Sequence, residues 1–277
     1  MSSILTNVGA MAALQTLNAT NKALNTTQGR ISSGMRVADA KDNSSSWSIA
    51  TTMKGDVSGF KAIADNLALS ESTVSVARQA SESVSDLLTQ IKSKVVLANS
   101  DSVDTTKIQD DIDQLVDQIT NVVGAAQFNG VNLVDASTSV NLLASLDRSG
   151  ATVSVSNITF NEQDLRTGAG GGLAAITGID VTTAAGAATA LGTIETAIGV
   201  AVDAAASFGA VQGRVSIQRD FVTALSDAMT AGVGSLVDAN MEEEAARLTA
   251  LQTQQQLGIQ GLSIANAAPQ NILALFR

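Results

Sequence analysis

MKGDVSGFKAIADNLALSESTVSVARQASESVSDLLTQIKSKVVLA, residues 53–98, is the stretch whose period decides the architecture. Met53, Phe60, Leu67, Val74, Ser81, Leu88 and Val95 recur every seven residues, with Ile63, Ser70, Ala77, Val84, Ile91 and Ala98 interleaved. Alternating three- and four-residue spacing held over this length is the mark of a helix packed along a coiled-coil seam. At 1.5 Å per residue, a helix from about 46 to 99 is on the order of 80 Å long, so the spacing predicts a rod.

Downstream, Ile108, Ile112, Leu115, Ile119 and Val122 predict a second helix ending near Gly124. Asn129-Gly130 is a turn signal, and Val131 to Phe160 alternates like strands, with Val153, Val155 and Ile158 apolar and Arg148-Ser149-Gly150 as a turn. A small hairpin region is expected there. Gly168 to Gly172 has the composition of a flexible linker. Helix returns from about Thr183, with Leu191, Ile194, Ile198, Ala201, Ala205, Phe208, Val215, Val222, Leu225 and Met229. Ala231 to Gly234 punctuates it, and a last helix is expected to start near Ser235 or Asp238, carrying Glu242, Glu243 and Glu244 in its early turns.

Both ends are apolar stripes, the last without charge and the first with only Lys22 and Arg30. Leu248 to Phe276 carries Leu248, Leu251, Leu257, Leu262 and Ile264, then Ile272, Leu273, Leu275 and Phe276. Residues 1–34 have no charge before Lys22; Ile4, Leu5, Val8, Met11 and Leu14 are followed by Leu17, Leu24 and Ile31 at strict seven-residue spacing, and Gly34 stands where a helix would be capped. Neither stripe is a stable helix alone, so the two are expected to pair with each other. Pro269 should bend or restart the last helix.

Composition agrees with close helix packing. Hydrophobic residues make up 45% but aromatics only 3%, so the apolar load is small and aliphatic, and one proline interrupts it. The net charge of −10 argues against nucleic acid and against anionic membrane surfaces. No run of about 18 consecutive apolar residues is present, and the start lacks a basic signal-peptide region, which predicts a cytoplasmic chain or one exported without a cleaved signal.

Chemistry is sparse. Without His or Cys, triads, thiolates and histidine-based zinc sites are excluded. Glu242–Glu244 with Asp238, and Asp110, Asp111, Asp113 and Asp117, read as solvated helix faces or ion-pair partners. Trp47 reads as a packing anchor, and Gln252, Gln254, Gln255 and Gln256 as neutral hydrogen-bonding groups at an interface. No catalytic residue, cofactor or metal is assigned. The residues describe a mainly α, non-enzymatic assembly protein: a long antiparallel helical rod or coiled-coil bundle with a small β-hairpin region and paired N- and C-terminal helices.

Four strings resemble one family. Arg30-Ile31-Ser32-Ser33-Gly34-Met35-Arg36-Val37 with Ala40-Lys41-Asp42-Asn43 resembles the N-terminal signature of bacterial flagellins. Gln127 to Asp135, around Asn129 and Gly130, is similar to that family's turn into its β region. Phe208 to Val215 resembles its returning helix, and Ala265 to Leu273, with Asn266, Pro269 and Gln270, its C-terminal ending.

The resemblance implies a filament subunit for swimming motility, exported unfolded through the flagellar type III apparatus, secreted, and polymerised outside the cell. It implies inner-core terminal helices over 1–43 and 235–277, an outer core over 44–160 and 184–234, and a vestigial exposed insert over 161–183. Implied partners are other copies of the chain, sister flagellins, the hook-junction protein, the filament cap and an export chaperone, with no nucleic acid and no membrane. Alternatives at this stage are a hook–filament junction protein of the same superfamily and a signalling coiled-coil rod. At the positions that flagellin-sensing innate receptors read in some members, this chain has Gln90, Lys92 and Lys94. Gln90 lacks the guanidinium fork and Lys94 the apolar contact, which predicts weak receptor activation.

Overall fold

The computed structural model describes residues 6–100, 103–136, 139–150 and 152–275, the last eight of these by backbone alone. It is 73% helical. The helices are α1 (Val8–Ser33), α2 (Ser44–Ala98), α3 (Thr105–Ala125), α4 (Ala184–Val237) and α5 (Met241–Leu275). Two antiparallel hairpins lie between α3 and α4: β1 (Gln127–Phe128) with β2 (Val131–Asn132), and β3 (Ser139–Ser149) with β4 (Thr152–Asn161). Residues 1–55 with 228–277 make one compact unit, and 56–227 another.

In the 56–227 unit, the heptad stripe of α2 is buried from Phe60 to Ala98, including Ser70 and Ser81. Ser81 Oγ satisfies itself by donating to the Ala77 carbonyl, 2.9 Å, which lets a hydroxyl occupy a seam position. On α4 the matching stripe reads Ala187, Ala190, Ile194, Ala197, Ala201, Ala204, Phe208, Val211, Val215 and Val222, all buried. Glu71–Arg219, Arg78–Gln212 and Lys92–Glu195 join α2 to α4, and the falling numbers show that the helices run antiparallel. On α3 the buried residues are Ile108, Ile112, Val116, Ile119 and Val123, so Leu115 and Val122 give way to their neighbours by one position. By length and composition α4 is apolar enough to cross a membrane, although it holds no unbroken run of about 18 apolar residues. Its apolarity comes largely from alanines, and one face of it is this buried seam.

The second hairpin is seated by a bulge. Register shifts between Leu143 and Ser145, leaving Ala144 outside the ladder, and its carbonyl accepts from Gln218 Nε2 on α4 at 3.1 Å. Arg148 forks onto Asp56 of α2, with Nε to Oδ2 at 2.8 Å. Ile158 and Phe160 are buried, whereas Val153 and Val155 are exposed.

Residues 161–183, expected as an exposed insert with a flexible glycine linker, are packed down. Leu165, Thr167, Leu173, Ile176, Ile179 and Val181 are buried. A Cβ on Gly171 would lie 2.1 Å from the Arg166 carbonyl oxygen, and one on Gly172 2.1 Å from that of Asp164. These glycines serve close backbone approach. Gln109 of α3 holds the segment from both sides, donating to the Ile179 carbonyl (3.0 Å) and accepting from Val181 N–H (2.9 Å).

Two boundaries move at the far end of α4. The helix runs through Gly232 and Gly234 to Val237, and α5 starts only at Met241, with Asn240 Oδ1 accepting from Glu242 N–H at 3.1 Å. Val233 and Val237 explain the continuity, for they pack with Val37, Ala50, Met53 and Leu236. That cluster packs the start of α2 and the end of α4 around Val37, in the loop after α1, and the compact units divide inside α2 and α4. Trp47 is 38% exposed at the start of α2, so part of its ring stays open to solvent.

Candidate self-assembly interface

The terminal helices pair as an antiparallel two-helix seam. On α1 the inward positions are Ala10, Ala13, Leu17, Thr20, Leu24, Thr27 and Ile31; on α5 they are Glu244, Leu248, Leu251, Gln255, Gly258, Leu262 and Ala265. Both sets alternate three- and four-residue steps, as a coiled-coil seam requires. Thr20 donates to the Thr16 carbonyl at 3.0 Å, so its hydroxyl is satisfied within α1. Gly258 lets α5 approach: a Cβ there would stand 3.3 Å from Leu17 Cδ1.

Polar contacts rung the seam along its length. Asn7 Nδ2 donates to the Ala265 carbonyl (2.7 Å), Gln255 Nε2 to Asn21 Oδ1 (2.7 Å), and Arg30 Nη1 to Glu244 Oε1 (3.0 Å). At the base Gly34 takes a left-handed φ of 71°, donates to the Arg30 carbonyl at 2.8 Å, and its own carbonyl accepts from Ala239 N–H at 2.9 Å. Arg36 completes this corner, its backbone N–H reaching the Val237 carbonyl at 2.7 Å and Nη2 the Leu236 carbonyl at 2.9 Å. Ser32 and Ser33 are exposed beside it.

The structure therefore sorts the expected stripe residues into two sets. Leu17, Leu24, Ile31, Leu248, Leu251 and Leu262 face the seam. Val8 (69% exposed), Leu14 (49%), Leu257 (60%) and Ile264 (72%) do not; with Met11 and Ile259 they form apolar faces that the pairing leaves uncovered. Ile4, Leu5 and Phe276 lie outside the described residues, as do the side chains of Pro269, Gln270, Ile272, Leu273 and Leu275. The α5 backbone stays helical through Pro269 to Leu275, so no break is made there. Asn266 is exposed, and Gly130 (φ 81°) with Asn129 (φ 50°) makes the turn between β1 and β2.

Glu242, Glu243 and Glu244 read together as a solvated face or ion-pair partners, and the structure divides them: Glu242 and Glu243 are exposed, whereas Glu244 is 5% exposed and pairs with Arg30. Sequence reasoning did not single Glu244 out. Its position, four residues before Leu248 and seven before Leu251, continues the seam and was the available signal. Of the four glutamines, only Gln255 reaches the seam; Gln252, Gln254 and Gln256 are exposed. Gln90 is also exposed, whereas Lys92 pairs with Glu195 and Lys94 with Asp111.

Comparison with known proteins matches these features. Residues 4–139 match the bacterial flagellin N-terminal helical region, and residues 191–276 the bacterial flagellin C-terminal helical region. A flagellin from Brucella melitensis is 43% identical over the full length of both chains. Flagellin FljK from Caulobacter vibrioides is 41% identical, covering all of this chain and 99% of its own. Among solved structures, one titled as a flagellar hook-associated protein of Vibrio parahaemolyticus shares the fold, with a TM-score of 0.55 at 15% identity over 71% of this chain and all of its own. With both terminal helical regions matched and full-length relatives at about 40% identity, the chain belongs to the bacterial flagellin family and is a structural subunit of the flagellar filament.

Proposed function

We propose that α1 and α5 together are the polymerising device of this subunit, and that the chain is a non-enzymatic protein that works outside the cell. The observation that carries this reading is the pair of apolar faces left over by the seam, with Val8, Met11 and Leu14 on one helix and Leu257, Ile259 and Ile264 on the other. Each such side chain gains about 1.5–3 kcal/mol when fully buried, so covering them with neighbouring copies drives assembly. A two-helix pair with little core of its own is marginal in a lone chain, and burial by neighbours fixes it. Contacts between unlike faces propagate into an open helical polymer. Export in an unfolded state through the flagellar type III apparatus suits a helix pair that is only marginally stable before assembly. Sister flagellins, the hook-junction protein, the filament cap and an export chaperone are the further partners of this reading.

Removal of residues 269–277 tests it. The truncated chain should remain a soluble monomer with α2, α3 and α4 intact by circular dichroism, and should fail to elongate seeds of sheared filament. Normal elongation by the truncated chain would overturn the role of α5.

A further inference from the structure

We propose that the Arg30–Glu244 ion pair is the register key of the terminal helix pair. Among the described residues it is the only ion pair across the α1–α5 seam, and it is set into an interface otherwise built of neutral side chains. The Glu244 side chain is 7% exposed and that of Arg30 26%. Beyond their mutual contact, Arg30 Nε and Glu244 Oε2 are buried without a hydrogen-bond partner. A pair in this condition is a poor source of net stability, because desolvation offsets much of the attraction. Separating the partners is a different matter, since each would be left as an uncompensated buried charge.

Heptad seams are degenerate by construction. Sliding one helix by seven residues restores the same alternation of inward positions, so apolar contacts alone discriminate weakly between registers. A single buried polar residue is known to fix register in coiled coils, at a cost in stability. Here a slide of one heptad would carry Glu244 from Arg30 to the level of Ala23, or past the end of α1 to Val37. Either breaks the Arg30–Glu244 contact, and no inward position of the seam supplies a replacement charge. Register matters because it decides where Val8 and Leu14 stand relative to Leu257 and Ile264, and thus the shape of the surface offered to neighbouring copies. The inference rests on the polymerising role proposed above for this pair.

Cysteine cross-linking reads the register directly, because the chain has no cysteine of its own. A Cβ at position 258 would lie 3.9 Å from Leu17 Cβ, inside the range a disulfide spans. Leu17→Cys with Gly258→Cys therefore reports the observed register, and Ala10→Cys or Leu24→Cys with Gly258→Cys reports a slide of one heptad either way. Each pair is oxidised in seeded filaments and in the soluble chain, with the ion pair intact, reversed (Arg30→Glu with Glu244→Arg), or replaced by Arg30→Leu with Glu244→Leu. The intact and reversed pairs should give the 17–258 bond alone. The apolar replacement, which removes the key without stranding a charge, should raise the slid products at least about tenfold. An apolar replacement that still yields only the 17–258 bond would show that the backbone bonds at Gly34 and Ala239 set the register, and would overturn the proposal. Failure of the reversed pair to restore the 17–258 bond would overturn it too. Elongation of seeds by the unaltered chain is scored separately; its failure would sink the polymerising role, while the cross-link ratio in the soluble chain would still decide the register.

Discussion

Asn7 Nδ2 donates to the carbonyl of Ala265 at 2.7 Å, and Ala265 is the residue four positions before Pro269. In an uninterrupted helix that carbonyl would accept from the N–H of residue 269, which proline lacks. The N-cap residue of α1 supplies the missing donor, and α5 continues to Leu275. Asn7 also caps its own helix, since its Oδ1 accepts from Ala10 N–H at 3.0 Å. Asn7→Asp separates the two roles by keeping the cap and removing the donor. We predict a loss of about 1–2 kcal/mol in the protection of amides beyond residue 265, with α1 amides little changed, measured by hydrogen exchange on filaments. Unchanged protection beyond 265 would show that the Ala265 carbonyl does not need Asn7.

Gly59 and Leu146 set how closely the second hairpin lies on α2. A Cβ on residue 59 would stand 2.7 Å from Leu146 Cδ1. That atom ends a flexible side chain, so Gly59→Ala should be tolerated, whereas Gly59→Val should destabilise the 56–227 unit by about 1–3 kcal/mol through overpacking. Urea unfolding of the soluble chain measures the difference, and equal midpoints for the two variants would contradict it.

Asp164 ties down the segment that precedes α4. The Arg166 side chain donates to it at 3.0 Å and 2.8 Å, and this hydrogen bonding, partly opposed by burial, holds its carboxyl below the usual carboxylate range. A carboxyl lowered in the folded state contributes stability that is fully present above its unfolded value of about 3.9 and is lost as pH falls through the folded value. Asp164→Asn should therefore melt below the unaltered protein at neutral pH, and the gap should close as the pH is taken below about 4. A gap that holds constant from pH 7 to pH 2 would show that the carboxylate charge is not what matters.

Lys92 and Lys94 are engaged with Glu195 and Asp111, and with Gln90 they stand at the positions that the family resemblance assigns to flagellin-sensing receptors. Together with Gln90 they present neither a guanidinium fork nor an apolar contact. Purified monomer should activate a receptor reporter cell line weakly, and a strong response would contradict this reading.

The sequence alone determined the long helices and one seam of the bundle. Strict spacing from Phe60 to Ala98 names the buried face of α2 residue by residue, because a heptad leaves no freedom in which side chains turn inward. Seven-residue spacing likewise places Leu17, Leu24 and Ile31 correctly, and Asn129-Gly130 marks its turn through backbone preference alone. What only the tertiary structure decided is which contacts override local signals. Gly232 and Gly234 look like a break, but burial of Val233 and Val237 carries α4 through them. Gly171 and Gly172 look like slack, but the carbonyl oxygens of Arg166 and Asp164, earlier in the same loop, occupy the space a side chain would need. Pro269 looks like a stop, and Asn7, from the other end of the chain, supplies the donor it lacks. Glu244 reads as either solvated or ion-paired among acidic neighbours, and only α1, by bringing Arg30 to it, decides between the two. For Val233, Pro269 and Glu244 the deciding partner lies far away in sequence, and for the two glycines it is a loop folded back on itself; no helical or strand period can register either.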